Sequence, residues 1–329
     1  MDVGTLLTVQ LPTLLIVIVG VPAALAGYIV GFEFLVRRLP DRAQPSVRPW
    51  IWAAPALIAV AFLLVYPAID TVRYSLLDNH GAFIGLSNYG AIFSDSSVLV
   101  AIRNNVYWLV LYTGLVLGFG LLLALLSDRV PYETPVKALI FMPMAVSATA
   151  LAVIWKFMYS YQPPSEPQTG TLNFIVTTIF HAQPLTWIQD LRINNFALII
   201  AAFWGLTGFA MVILSAALKG IPADLLEAAR VDGAGELTIF RRVIFPLLMP
   251  TITVVGTTLV IFALKAFDVV YVMTNGNFDT DVLANRMYKE LFNFFNPGRA
   301  GAVAVILLLA VIPVLIFNMR QIRAVEARR

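Results

Sequence analysis

The sequence predicts an all-α integral membrane protein with seven transmembrane helices, and three observations lead to this fold class. Hydrophobic residues make up 60% of the 329 residues and charged residues only 12%, whereas about 25% charged residues are usual in a soluble domain. The apolar residues are gathered in runs long enough to cross a bilayer as helices, which takes roughly 17–25 residues. The Lys and Arg residues lie mainly between these runs. A chain with so few charges cannot cover a water-facing surface, so much of its exterior must face lipid.

Each apolar run is predicted to be a helix, because a backbone in contact with lipid must satisfy its hydrogen bonds within the segment. Prolines inside several runs predict kinks, since proline cannot donate a backbone hydrogen bond; these are Pro22, Pro143 and Pro313. The leader of the first run carries Asp2 and no Lys or Arg, and the run is too long for a signal peptide, so we expect it to be retained. The predicted spans are about 11–36, 51–72, 104–127, 138–159, 196–218, 248–272 and 301–318.

The basic residues between the spans predict the orientation of the chain. With the N-terminus outside, the inner segments hold fourteen of the 22 Lys and Arg residues and the outer segments hold four. Basic residues collect on the cytoplasmic side of membrane proteins. We therefore expect an outside N-terminus and a cytoplasmic C-terminus.

The composition also argues against several kinds of site. The sequence contains no cysteine, which excludes thiol catalysis, disulfides and cysteine-bound metals. Its two histidines, His80 and His181, lie in predicted loops, so we expect no metal site. The basic residues form no stripe or arm, so nucleic acid is not an expected partner. No catalytic residues are predicted, because no His is paired with a Ser or Cys nucleophile facing a common site.

The segment 219–247, between the fifth and sixth spans, has the pattern of two short helices joined by a turn. Pro222 suits the first position of a helix, and good helix formers follow it. Asp232 and Gly233 then break the helix, and Gly233 is free to take a left-handed conformation. A second helix follows and is expected to end at Pro246. From its residues alone, the segment is either a surface for a partner or an ordinary amphipathic loop that links two spans.

The same segment resembles the coupling motif of permease subunits of binding-protein-dependent ABC importers. That motif is Glu-Ala-Ala, three residues, Gly, nine residues, then Ile-x-Leu-Pro. The resemblance covers about residues 51–320, and 267–276 looks like the sixth span of maltose-type or alpha-glucoside-type sugar permeases. It implies a six-helix permease domain in 51–329, preceded by an additional transmembrane helix and cytoplasmic linker in 1–50. The residues that match the motif, with Asp232 between them, are the expected ATPase-coupling residues: Glu227, Ala228, Ala229, Asp232, Gly233 and Pro246.

The resemblance also implies the partners of the chain. These are two ATPase subunits, a second homologous permease subunit and an extracytoplasmic solute-binding protein that delivers a sugar. The complex would lie in the cytoplasmic membrane of a bacterium or archaeon. No lysine of this chain follows a glycine, so it has no Gly-Lys-Ser/Thr phosphate loop. We expect the chain to be no enzyme and to bind no cofactor, with ATP and Mg bound by the ATPase subunits.

Charged residues inside a span cost roughly 2.5–3.5 kcal/mol each on insertion scales and therefore mark functional candidates. Lys265 and Asp268 lie three residues apart in the sixth span, which predicts that they share one helical face with Tyr271. They would either bind sugar hydroxyls or form a structural ion pair. Maltose-type permeases line their substrate site with residues of the two spans that flank the coupling loop, which adds aromatic residues to the candidates. The predicted pathway residues are Trp204, Phe209, Phe262, Lys265, Asp268 and Tyr271.

Three other interpretations remain open from the sequence. A secondary transporter or channel acting alone would need no coupling loop and would often show inverted repeats, which this sequence lacks. An integral membrane enzyme would need a catalytic constellation. An importer of the same class could carry an amino acid, a polyamine or phosphate instead of a sugar.

Overall fold

The computed structural model describes residues 13–14, 16–128 and 130–326, and within these ranges it contains helices and no strand beyond one isolated bridge. The chain folds as two compact units, Met1–Asp70 and Thr71–Arg329. The helices used below are α1 (Ile16–Val36), α2 (Gln44–Tyr74), α3 (Ser87–Ser94), α4 (Ser96–Ser127), α5 (Glu133–Phe141), α6 (Ala148–Met158), α7 (Thr171–Thr178), α8 (Asn194–Lys219), α9 (Ala223–Val231), α10 (Glu236–Met273, interrupted after Leu264), α11 (Leu283–Phe292) and α12 (Pro297–Glu326).

Five of these helices, α1, α2, α4, α8 and α10, are long and apolar enough to cross a membrane. Helices α5 and α6 form a sixth crossing if the bent pair is one span. The seventh predicted span, 301–318, falls on α12, whose apolar part, Pro297–Pro313, is shorter. The described part of the chain is therefore an all-helical membrane protein with five or six spans by length and composition. The seventh span and the orientation of the termini stay predictions.

The bend between α5 and α6 has a clear cause in the sequence. Helix α5 passes into the 3-10 turn Met142–Ala145, where Pro143 cannot donate a backbone hydrogen bond. The hydroxyl of Ser147 then caps α6 by accepting from the N–H of Ala150 at 3.2 Å. The two helices are bent by 99°, so the kink expected at Pro143 is confirmed and is close to a right angle.

Helix α1 and the first part of α2 form a hairpin within the N-terminal unit. The hydroxyl of Tyr28 donates to the carbonyl oxygen of Ile51 at 2.8 Å. Glu33 lies in the otherwise apolar α1, and the guanidinium groups of Arg37 and Arg48 approach its Oε1 atom at 3.3 and 2.8 Å. These ion pairs offset the free-energy cost of placing the Glu33 carboxylate in lipid.

Helix α8 is the centre of the second unit, and glycines bring its neighbours unusually close. A Cβ atom on Gly208 of α8 would lie 2.4 Å from the carbonyl oxygen of Ile140 in α5, and one on Gly120 of α4 would lie 2.6 Å from the Cβ atom of Ala210. Small residues allow such backbone contact between membrane helices. Helices α4, α5 and α8 are therefore packed as one block.

A network of charges fixes α11, the start of α12 and the residue that precedes α4. Glu290 is 1% exposed, and its Oε1 atom lies 2.7 Å from Arg286 and 3.2 Å from Arg299. The same arginines approach Asp95 Oδ2 at 3.0 and 2.5 Å. Burial raises the pKa of Asp95, but hydrogen bonds from Ser97 and the two guanidinium groups outweigh it and bring the pKa to about 2. Asp95 is therefore ionised at physiological pH.

Candidate substrate cavity and coupling loop

A cavity of about 190 Å³ lies in the second unit, where α4, the bend between α5 and α6, α8 and the interruption of α10 meet. Apolar and aromatic groups form most of its wall, and Lys265 and Asp268 add two charged groups. This mixture suits a ligand with both apolar faces and hydrogen-bonding groups. The wall includes Trp108, Tyr112, Pro143, Leu206, Phe262 and Phe267.

The interruption of α10 determines where the two charges lie. The helix stops at Leu264, Lys265 has φ −94° and ψ 16°, and the next helical residue is Asp268. The prediction that Lys265 and Asp268 share one face of a continuous helix is therefore wrong, because the helix is broken between them. Both side chains are nevertheless exposed and line the same cavity.

Neither charge is paired within the described part of the chain. No carboxylate oxygen of the described residues lies within 4.0 Å of the Lys265 ammonium, and no basic nitrogen lies within 4.0 Å of the Asp268 carboxylate. An intrachain ion pair at these residues, one of the two roles expected from the sequence, is thus not formed in this structure. An unpaired charge is costly in a membrane protein, so we expect these two groups to contact a polar substrate or another subunit.

Three of the six predicted pathway residues line the cavity: Phe262, Lys265 and Asp268.

The other three lie outside its wall. Trp204 is 38% exposed, and its ring lies edge-on to Trp155 with centroids 6.0 Å apart. Phe209 packs against the main hydrophobic core. Tyr271 stacks on Phe267 with ring centroids 5.0 Å apart, so it contacts a residue of the cavity wall without reaching the cavity.

Sequence reasoning missed Trp108 and Tyr112, which lie in a π-helical turn of α4 and are each 2% exposed. Such turns occur often at functional sites. The indole Nε1 of Trp108 is buried and has no hydrogen-bond partner among the described residues. Two aromatic residues in a uniformly apolar span give no periodic signal. Only the packing of α4 against α8 and α10 places them in the wall.

The segment 219–247 has the predicted first helix and turn. Helix α9 follows Pro222 and ends at a Schellman motif, in which the N–H of Gly233 donates to Arg230 at 3.0 Å and the N–H of Ala234 donates to Ala229 at 3.0 Å. Gly233 has φ +79°, so its predicted left-handed conformation is confirmed. This conformation strains any residue with a Cβ atom.

Helix α9 buries none of its residues against the described chain. Leu225 and Val231 are 47% and 87% exposed, and Glu227 and Ala228 are exposed beside them. Helix α9 therefore presents exposed apolar and small side chains that have no packing partner among the described residues.

Pro246 does not end the second helix, which corrects the prediction. Helix α10 runs through it, and the π-helical turn Phe240–Ile244 precedes it. The N–H of Phe245 donates to Phe240, five residues back. This wider turn accommodates a proline because the hydrogen-bond pattern shifts just where an N–H is missing. The loop is therefore continuous with the following span.

The sequence of this chain matches a known protein family. Residues 116–329 match the model of the binding-protein-dependent transport system inner membrane component. The chain belongs to this family. As such a component, it is a multi-pass permease subunit of the cytoplasmic membrane and is not an enzyme, since partner subunits hydrolyse ATP.

Relatives of known role cover most of the chain. It is 49% identical to the osmoprotective compounds uptake permease protein GgtC of Synechocystis sp., over 85% of this chain and 100% of the relative. It is 44% identical to the alpha-glucoside transport system permease protein AglF of Rhizobium meliloti, over 85% and 84% of the two chains. The fold matches a chain of a bacterial ABC transporter involved in the import of alginate, with a TM-score of 0.74, 22% identity and coverage of 86% and 99%.

Proposed function

We propose that this chain is the transmembrane permease subunit of an ATP-driven sugar importer for an oligosaccharide or alpha-glucoside. It forms half of the translocation pathway, and the loop 219–247 couples it to a separate ATPase. The observation that carries this proposal is the cavity at the interruption of α10, where Lys265 and Asp268 are unpaired among the described residues. Broken helices of this kind form the substrate sites of many transporters.

The chemistry of the cavity wall supports a sugar as the substrate. A pyranose ring has apolar C–H faces, which pack on aromatic rings, and hydroxyl groups, which bond to charged side chains. The aromatic rings in the wall are those of Trp108, Phe262 and Phe267. The charged groups that can bond to hydroxyls belong to Lys265 and Asp268. The alpha-glucoside permease at 44% identity supports the same class of cargo.

The size of the cavity supports a pair of permeases. Ligand pockets have volumes of roughly 300–1,000 Å³, whereas this cavity has about 190 Å³. A second homologous subunit facing the same cavity would complete it.

The proposal also covers the topology and the domains of the chain. The chain has seven spans and an outside N-terminus, with a permease domain in 51–329 and an additional helix and linker in 1–50. Of the two ATPase subunits, one would bind Glu227, Ala228 and their neighbours on α9 and the other would bind the second permease, and a solute-binding protein would deliver the sugar.

The direct test is reconstitution of the purified complex in liposomes with its solute-binding protein. We expect uptake of sucrose, maltose or trehalose that requires ATP, and stimulation of ATP hydrolysis by the sugar that is carried. Permease relatives for sn-glycerol-3-phosphate, such as one 31% identical from Agrobacterium fabrum, make that solute the best comparison. Stimulation by sn-glycerol-3-phosphate alone would contradict the sugar assignment. Uptake without ATP or an ATPase subunit would contradict the importer itself.

Asp268→Asn is expected to impair transport more than assembly. The change removes a charged acceptor from the cavity but leaves the fold intact, because Asp268 has no ion-pair partner among the described residues. Hydrogen bonds to charged groups contribute roughly 1.5–3 kcal/mol, so we expect uptake to fall by a factor on the order of 10–100. Asp190→Asn, outside the cavity wall, is the control. Wild-type uptake by Asp268→Asn would rule out contact with substrate.

A further inference from the structure

A polar cluster joins the ends of three helices next to the coupling loop. The ammonium of Lys219, the last residue of α8, lies 2.5 Å from Glu133 Oε1. The ammonium of Lys137 lies 2.5 Å from the same oxygen and 2.5 Å from Asp128 Oδ1, and it also contacts the hydroxyl of Ser215. That hydroxyl donates to Asp128 at 2.7 Å. All three donors of Lys137 are therefore used.

Three of the four charged side chains in the cluster are partly shielded from solvent. The side chains of Lys137, Asp128 and Glu133 are 16%, 19% and 26% exposed, against 54% for Lys219. Two positive and two negative charges balance one another. In such a setting, removal of one charge leaves the others uncompensated, which costs more than the loss of an exposed ion pair.

The position of Glu133 links the coupling loop to the cavity. Lys219 precedes the loop helix α9 by four residues, and Glu133 is the first residue of α5. At 1.5 Å per residue, α5 spans roughly 13 Å, and it leads into Pro143 and Met144 of the cavity wall. At Gly208 the backbone of α8 packs directly against the backbone of α5.

We propose that Glu133 is a positioning residue for transport, which transmits displacement of the coupling loop through Lys219 to α5 and so to the cavity wall. The Lys219–Glu133 pair is the connection, and Lys137 and Asp128 hold Glu133 against the block of α4 and α8. The proposal rests on the proposed coupling role of 219–247.

The test uses the assembled transporter in liposomes and measures sugar molecules transported per ATP hydrolysed, with sucrose, maltose and trehalose as probes. We expect Glu133→Gln and Lys219→Gln each to lower this ratio at least about fivefold while ATP hydrolysis continues. The double variant should be no worse than either single variant, because both changes break the same contact. Lys219→Arg should retain the wild-type ratio. Arg37→Gln, which removes an exposed guanidinium at the end of α1 but leaves the Arg48–Glu33 pair, is the control and should also retain the wild-type ratio.

Two results would overturn the proposal. An unchanged ratio in both single variants would show that the pair transmits nothing. Loss of assembly in both variants, seen as failure to copurify with the ATPase, would assign the cluster a purely structural role. Failure of the proposed function is distinguishable from either, because wild-type protein would then show no ATP-dependent uptake.

Discussion

Gly233→Val is expected to abolish coupled transport while leaving the amount of membrane-inserted protein unchanged. Gly233 has φ +79°, and an added Cβ atom would meet nothing within 4 Å. The change therefore acts through the backbone conformation, which costs roughly 1–2 kcal/mol for a residue with a Cβ atom and more for a β-branched one. Valine would open the Schellman motif and redirect α9. We expect at least about a tenfold loss of ATPase copurification and of sugar-stimulated ATP hydrolysis.

Gly235 offers a matched control two residues away. It also has nothing within 4 Å of an added Cβ atom, but its φ of −68° and ψ of 157° suit any residue. Gly235→Val should therefore couple normally. Unchanged transport in Gly233→Val, or equal loss in both variants, would contradict the role assigned to the turn.

Arg286→Met is expected to cause the largest loss of stability. It leaves the carboxylate of Glu290, 1% exposed, with the 3.2 Å contact to Arg299 as its only remaining ion pair among the described residues. Removal of one partner from a buried ion pair costs roughly 3–5 kcal/mol. The unfolding temperature in detergent should fall by several degrees, and less folded protein should be recovered. Thermal unfolding followed by intrinsic fluorescence measures this.

A second substitution separates the buried charge from lost packing. Arg286→Met combined with Glu290→Met should recover much of the stability, because apolar residues of similar volume can replace a buried pair. Arg192→Met, at an exposed arginine, should unfold like the wild type. A double variant less stable than Arg286→Met would show that the uncompensated carboxylate is not the cause.

Local signals in the sequence were sufficient for the membrane class, the bend at Pro143 and the left-handed Gly233. Proline and glycine act on their own backbone, so their effects can be read without knowledge of the neighbours. Pro222 and the break at Gly233 likewise predicted where α9 begins and ends. The end of the second helix was predicted wrongly because a π-helical turn before Pro246 lets the helix continue, and no local rule signals such a turn.

The cavity was only partly predictable for a related reason. The charges of Lys265 and Asp268 marked the part of α10 that lines the cavity, but the interruption between them was not visible in an apolar run. Trp108 and the cluster around Glu133 depend on contacts between helices that are distant in the sequence. These residues can be identified only from the tertiary packing around α8, which brings together α4, α5 and α10.

The Schellman motif that ends α9 also bears on how partner choice can change during evolution. The motif holds the helix end with main-chain hydrogen bonds and one glycine, whereas the surface offered to a partner consists of side chains such as Leu225 and Glu227. Shape and surface chemistry are thus encoded at separate positions. Under the proposed coupling role, substitutions on the exposed face would change the surface chemistry presented to the ATPase without altering the turn that orients α9.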